Sequence, residues 1–469
     1  MTGPKVSVII PVYNNAEYLP DAIQSILDQT YPNFEIVLVN DASPDNADEV
    51  IQQYRDPRIQ YIVHEKNRGL SAARNTGIRA STGDLIAPLD GDDYFHPEKF
   101  RLHVEFFNKH PEIGTTYNPR FELNHSAKTI RDLWRPPLTV DLSDLIFGFP
   151  FSPSDMVVRR EWMFRVNLFD EYHVYVGEDL DINCRLALAG CKVASVDRAL
   201  NYRRYHSGRI IKNLRGSVED TIRPLNAVFA DPKCPQEVLA LKDKAIANHY
   251  LLWSAIAFGQ DDTRVGQEYC SAAIQKNPSL LDGNPSPLLR VLIAHSIVDE
   301  NLDHVPLLRK MFEQLPETLA SQRKQCDWAI ARATLMKATR AILWGRTDEG
   351  KKYFEQAATY QAQVDESFVG QLTQQLIDYE NEFGAQATQK VLQDLMPHLA
   401  TVSGWNDARH LKASYSINRA FNHYNLGEYS NVPANVMNAI LSDPRYLTNR
   451  GVLSILFRSL KHSAQFVGN

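Results

Sequence analysis

The segment VSVIIPVYNNAEYLPDAIQSILDQTYPNFEIVLVNDAS, Val6 to Ser43, decides how the N-terminal part of this chain folds. Val6–Ile10 and Phe34–Val39 are short, continuous, largely β-branched runs, the pattern of strands buried on both faces. Between them Leu19, Ile23, Ile26 and Leu27 recur at helical spacing, and Pro20 falls in the first turn, where its missing N–H is tolerated. Strand, helix, strand in that order requires a crossover connection and so a parallel pair. The alternation continues outward. IQYIV from Ile59 and DLIAPL from Asp84 read as further strands, with ADEVIQQY and LSAARNTGIRA as the helices between them. The expectation is an α/β domain, a mostly parallel sheet flanked by helices. In such sheets the ligand crevice lies beyond the carboxyl ends of the strands.

Three of those ends carry polar loops: PVYNN after the first strand, NDAS after the second and LDGDD after the fourth. Any one of them is explained by the turn preference of Asn, Asp and Gly. Three delivered to one rim point to a site. Neither a Gly-x-x-x-x-Gly-Lys loop nor a Gly-x-Gly-x-x-Gly loop follows the first strand, which argues against P-loop enzymes and dinucleotide dehydrogenases. A nucleotidyltransferase of similar topology would also be expected to carry a Gly-rich loop there, and PVYNNAEY has no glycine. Asp90, Asp92 and Asp93 repel one another unless a cation lies among them. A hard divalent ion takes one or two carboxylates together with phosphate oxygens, which suits a bound diphosphate.

Bulk properties set the frame. A chain of 469 residues is too long for one core, so two or three domains are expected. A net charge of -6 argues against a dedicated nucleic-acid binder. The five cysteines are scattered, with no Cys-x-x-Cys pair, so neither a disulfide framework nor a structural zinc site is expected and a cytoplasmic setting fits. Pro11 and Asn14 interrupt the first apolar run, and LLWSAIAF from Leu251 is far below the roughly 20 residues of a spanning helix. No leader and no membrane-crossing segment is expected.

Two further clusters lie before residue 216. GEDLDINCRLALAG from Gly177 opens a helix with an acidic pair, which the helix dipole alone could account for, and YRRYHSGRIIKNLR from Tyr202 is a basic run. Together with the opening segment, NRGLSAARNTGI and LDGDD, these stretches resemble family-2 glycosyltransferases of the GT-A fold over roughly residues 5 to 215. The resemblance implies a role for each matched residue. Pro11, Val12, Tyr13 and Asn14 would line a nucleotide pocket, and Asp41 would accept a hydrogen bond from the base, commonly uracil. Arg74 would sit beside the nucleotide. Asp90 and Gly91 would face the ribose or donor sugar. Asp92 would ligate Mn²⁺ or Mg²⁺, with His206 as a further ligand. Asp179 would be the catalytic base and Glu178 would orient its helix. Arg203, Arg204, Arg209 and Lys212 would close over the diphosphate, while Asp93 is left as a cap for the helix in HPEKFRLHVEFF. One departure concerns the acceptor side: many members approach the FDE segment through glycines, where this chain has RVNLFDE.

After about Ser217 the pattern turns helical. AIAFGQDDTRVGQEYCSAAIQKNP, AILWGRTDEGKKYFEQAATYQAQ and AFNHYNLGEYSNVPANVMNAILSDP resemble degenerate tetratricopeptide hairpins. The expected division is therefore 1–216 for the catalytic domain and 217–469 for an all-α domain whose surface serves partners or acceptors. GVLSILFRSLKHSAQF near the end sets apolar residues beside Arg458 and Lys461. It suits either a membrane surface or, the reading preferred here, closure of the domain.

The function implied is a metal-dependent inverting transfer of a sugar from a nucleotide-diphosphate donor, a UDP-sugar above all, to a hydroxyl of a glycan or lipid-linked acceptor. It would be non-processive, because the Gln-x-x-Arg-Trp motif and the transmembrane helices of polymer-building members are missing. The competing readings are a nucleotidyltransferase and a non-enzymatic adaptor acting through the helical half. The adaptor's mark would be a damaged Asp-x-Asp or Glu-Asp, and both are intact. A protein partner or peripheral contact with the inner face of a membrane would fall to the helical half.

Overall fold

The computed structural model describes residues 3–124, 129–173, 175–205, 213–299, 302–405 and 408–466. The chain forms two compact units, one of residues 1–301 with 309–323, the other of residues 302–308 with 324–469.

Among the described residues the first unit is built on eleven strands: β1 (Val6–Val12), β2 (Phe34–Asn40), β3 (Ile59–Val63), β4 (Leu85–Pro88), β5 (Tyr94–Phe95), β6 (Thr115–Tyr117), β7 (Arg120–Leu123), β8 (Ile130–Trp134), β9 (Val157–Arg159), β10 (Val193–Ser195) and β11 (Asn201–Arg204). Seven form a sheet in the order β10-β6-β9-β4-β1-β2-β3, and four form a second sheet in the order β5-β11-β7-β8. In the large sheet β1 runs parallel to both β2 and β4, and β9 is the antiparallel member. Registers Val12 to Asn40 and Ile9 to Pro88 bring the carboxyl ends of β1, β2 and β4 to one edge. The four strands read from the sequence are β1 to β4. The strands between residues 94 and 204 are two to five residues long, too short for a periodic signal.

Period-two alternation splits β1 and β2 between two cores. Ile9, Val37 and Val39 enter one apolar cluster, while Val8, Ile10, Ile36 and Leu38 enter the other with Leu19, Ile23 and Ile26 of the first helix. Helices Leu214–Ala230 and Lys242–Gly259 also belong to this unit. Their Val218, Ile222, Leu225, Val228 and Trp253 lie in the same cluster as Ile9 and Val37. The boundary placed at 216 on sequence therefore falls inside a helix that the sheet's core includes, and the compact unit continues to residue 301.

The named elements of the second unit are all helices, with one isolated parallel bridge between Gln363 and Ser403 among its described residues. Helices Cys326–Leu343 and Thr347–Thr359 share a core with Glu366–Phe383 and Ala385–Leu399, through Leu335, Phe354, Phe368, Leu372 and Leu395. Ala408–Asn425, Val432–Ser442 and Arg450–Phe466 follow, joined by Ile417, Val432, Val436, Val452 and Ile455. Each of the three Gly-marked segments read as hairpins folds as a packed pair of helices, the first in unit one and the other two in unit two. Among the described residues no helix is long and apolar enough to cross a membrane.

Candidate active site

The carboxyl edge of the large sheet opens into a cleft of about 1160 Å³. Pro11, Val12, Tyr13 and Asn14 leave β1 along its wall, Asp41 follows β2, and Asp90, Gly91 and Asp92 follow β4. Glu178 and Asp179 face the same space from the start of the Glu178–Leu188 helix. The three strand-end loops and the acidic pair, more than 80 residues apart in sequence, are thus brought together.

The loop after β1 turns at Asn14, which holds a left-handed φ of 54° and donates its N–H to Ser43 Oγ at 2.7 Å. Gly91 closely approaches the β1 loop: a Cβ there would lie 2.3 Å from Asn15 Nδ2, so any larger residue would have to displace the Asn15 side chain. Asp41 is buried. One carboxylate oxygen accepts the Arg68 N–H at 2.8 Å and contacts His64 Nδ1 at 2.6 Å, and the other accepts the Gly69 N–H at 2.8 Å. A carboxylate has about four acceptor positions, so one is left for a donor in the cleft.

Asp90, Asp92 and Asp93 each offer an oxygen within 4.8 Å of the others. Asp90 and Asp92 line the cleft, whereas Asp93 is buried and accepts the Arg204 N–H at 3.1 Å. The helix that Asp93 was expected to cap starts at Lys99 behind Glu98, so Asp93 instead pins its loop to β11. This clustered set of hard oxygen donors fits a divalent cation.

Arg74 lies elsewhere than the sequence suggested. It does not line the cleft but is buried beneath it, 1% exposed, with Nη2 on Asp90 at 2.6 Å and Nη1 on Glu178 at 2.9 Å. Its guanidinium joins the two acidic loops from below. The adjacent Asn75 donates to Phe169 O at 2.8 Å and to Glu171 at 2.9 Å, and accepts the Phe169 N–H at 3.0 Å. The ARNTG helix is therefore a clamp between LDGDD, FDE and GED.

Asp179 is only partly exposed and accepts the Leu180 N–H at 2.8 Å. Burial, and then the neighbouring Glu178 charge, push its carboxyl up to about 7. The helix N-terminus favours the anion, but those two effects outweigh it. Gly177 precedes the pair with a φ of 91°, and a Cβ there would meet Asp220 O at 2.7 Å. Asp220 also accepts the Tyr175 N–H at 2.8 Å, so the Leu214–Ala230 helix sets the loop that aims Asp179.

Of the basic run, Arg203 lines the cleft, 3.7 Å from Glu122. Arg204 is buried, paired with Asp21 at 2.6 Å and set over the Tyr18 ring, so it does not close over the cleft. His206, Arg209 and Lys212 lie outside the described residues. The sequence reading missed other residues that line the cleft, among them Arg120, Phe149, Tyr175, Trp253 and Ile256. Arg120 is itself held by Asp155 at 2.7 Å and Glu122 at 2.8 Å. No local signal marks these positions, because tertiary packing alone brings them to the cleft.

Residues 7–172 match the family described as Glycosyl transferase family 2. An uncharacterized glycosyltransferase of Bacillus subtilis, EpsJ, is 33% identical over 213 residues, which cover 42% of this chain and 60% of that protein. A second uncharacterized glycosyltransferase, from Nostoc, is 34% identical over 211 residues, 43% of this chain and 65% of its own. The chain thus spans less than two thirds of either relative. Among solved structures, Staphylococcus aureus TarS 1–349 in complex with UDP-GlcNAc is similar at 18% identity and a TM-score of 0.44, covering 74% of this chain and 89% of that one. The matched residues 7–172 contain the β1, β2 and β4 loops that wall the cleft, so the similarity to glycosyl transferase family 2 falls on the part of the chain that carries the site.

Proposed function

We propose that this cleft transfers a sugar from a nucleotide-diphosphate donor to an acceptor hydroxyl with inversion at the anomeric carbon. The observation that carries the reading is the meeting of Asp41, Asp90, Asp92 and Asp179 in one cleft. Asp41 binds the base through its remaining acceptor position, which selects a base that presents an N–H donor, as uracil does. Tyr13, half exposed in the cleft, offers a ring face to the same base. Asp90 hydrogen-bonds the ribose or the donor sugar.

Asp92, with Asp90 beside it, would hold a divalent cation, Mn²⁺ or Mg²⁺. Such an ion supplies Lewis-acid stabilisation to a departing diphosphate. Asp179 takes the proton of the acceptor hydroxyl as its oxygen bonds to C1 and the C1–diphosphate bond breaks. A carboxyl lifted toward neutrality suits that task, since a general base works best with a pKa near the working pH. Arg74 keeps Glu178 and Asp90 at fixed spacing, so the base and the donor site move as one. Phe149, Tyr175 and Trp253 give the acceptor side an aromatic wall, which suits the apolar faces of a glycan, free or lipid-linked.

The test is donor hydrolysis and nucleoside diphosphate binding across a panel of nucleotide sugars, with Mn²⁺ and with EDTA. Metal-dependent release of one nucleoside diphosphate is expected, and Asp92→Ala should abolish it while leaving the thermal melt unchanged. Release of pyrophosphate instead, or tight binding that ignores EDTA, would refute the assignment.

A further inference from the structure

The last two described helices of unit two form a hairpin that leaves apolar side chains on its outer surface. Here Val432–Ser442 buries Val432, Val436 and Ala439 but leaves Met437 and Leu441, one turn apart, outside. Leu447 is exposed in the connection. Arg450–Phe466 buries Val452 and Ile455 and keeps a second stripe, Leu453, Phe457 and Leu460, at spacings of four and three. Leu441 is 78% and Phe457 67% exposed, so neither takes part in the hairpin's own packing to any extent.

Charge identifies what covers these stripes. From Ala408 onward the chain carries seven lysines and arginines against two acids, although its overall charge is -6. Neither of the two last helices contains an acid. Arg450, Arg458 and Lys461 are exposed and have no acidic partner among the described residues. An apolar stripe flanked by unpaired cations matches an interface of headgroup phosphates over acyl chains. A second copy fits worse, because a two-fold contact would set one cationic face against its own image. We infer that this hairpin, residues 432–466, docks this protein on an anionic membrane surface. Phe457, Leu460 and Leu441 enter the acyl boundary, while Arg450, Arg458 and Lys461 meet lipid phosphates. The inference is independent of the chemistry assigned to the cleft.

The test is co-sedimentation of the full chain with vesicles of phosphatidylglycerol and phosphatidylcholine, and with phosphatidylcholine alone, at low and high salt. Binding to the anionic vesicles that falls with salt is expected. Each cation near such a surface contributes about fivefold to partitioning, so replacing Arg450, Arg458 and Lys461 together with Ser should weaken binding about 100-fold. Phe457→Ser should weaken it as well, with circular dichroism and donor hydrolysis unchanged. Absence of binding to anionic vesicles would overturn the inference, as would binding that survives both variants. Light scattering that shows a dimer in wild type and a monomer in Phe457→Ser would overturn it too, in favour of a second copy.

Discussion

Replacing Arg74 with Met keeps the length and apolar body of the side chain and removes the only group joining Asp90 to Glu178 in the structure described. The guanidinium is 1% exposed and its two ion pairs measure 2.6 and 2.9 Å. Removing one partner of a buried pair typically costs about 3–5 kcal/mol, because the charge left behind is uncompensated. Here two carboxylates are left, though Asp90 keeps partial access to water from the cleft and Glu178 less. The expected loss is therefore about 3–5 kcal/mol, read as a lower urea midpoint with EDTA present so that no cation replaces the guanidinium. The network origin of the loss is separable from poor packing by a second substitution. Glu178→Gln should destabilise the wild type, where it breaks an ion pair. In Arg74→Met the same change should be neutral or stabilising, where it removes an orphaned charge, giving a coupling of about 0.5–3 kcal/mol. Additive effects, or an Arg74→Met protein within about 0.5 kcal/mol of wild type, would refute the clamp.

Asp179→Asn should lower kcat about 10²- to 10⁴-fold with donor affinity barely changed, and Glu178→Gln should be milder; the reverse ranking would move the base by one residue. Because burial and Glu178 raise the Asp179 carboxyl to about 7, kcat/KM should fall as pH drops through neutrality rather than near pH 4, and a limb that persists in Asp179→Asn would exclude this group. A raised carboxyl also means that the fold disfavours the ionised form. Stability is thus forfeited as pH rises above the ordinary Asp range, and Asp179→Asn should melt higher than wild type at pH 8 but not at pH 4. Leu225 is fully buried in the sheet's core, so Leu225→Ala should cost about 2–5 kcal/mol in a urea titration; no shift would mean that the Leu214–Ala230 helix is detachable. A chain ended at Gly216 should be insoluble for the same reason, and soluble, nucleotide-binding protein from it would place the catalytic core's end there.

The parts of the site legible in the sequence are those whose signal is local. Strands buried on both faces are continuous apolar runs, so β1, β2 and β4 could be found, and the loops after them followed by topology alone. What a side chain touches is not local. Arg74 sits in a helical run that looks like solvated surface until folding brings it Asp90, 16 positions away, and Glu178, 104 away. Asp93 has the look of a helix cap because Asp before a helix often is one, yet its partner is the Arg204 amide, 111 positions on. Arg204, in turn, reads as one of several cations available to a phosphate, and is spent inside the protein on Asp21.

The same distinction governs the helical region. Helical periodicity takes over after about Ser217, and a change in periodicity is visible in any sequence. A change of core is not, since it depends on which apolar faces meet. Val218, Ile222, Leu225 and Val228 recur at spacings of three and four, which specifies a helix with one apolar stripe. Nothing in that spacing says whether the stripe meets another helix or the sheet. It meets the sheet's core, and this has a chemical consequence: the helix that completes that core also carries Asp220, which holds Tyr175 and approaches Gly177 immediately before the Glu178–Asp179 pair. The aim of the proposed base therefore depends on residues beyond the matched 7–172 segment, and variation in that helix would alter the acceptor half of the reaction while leaving the donor loops intact.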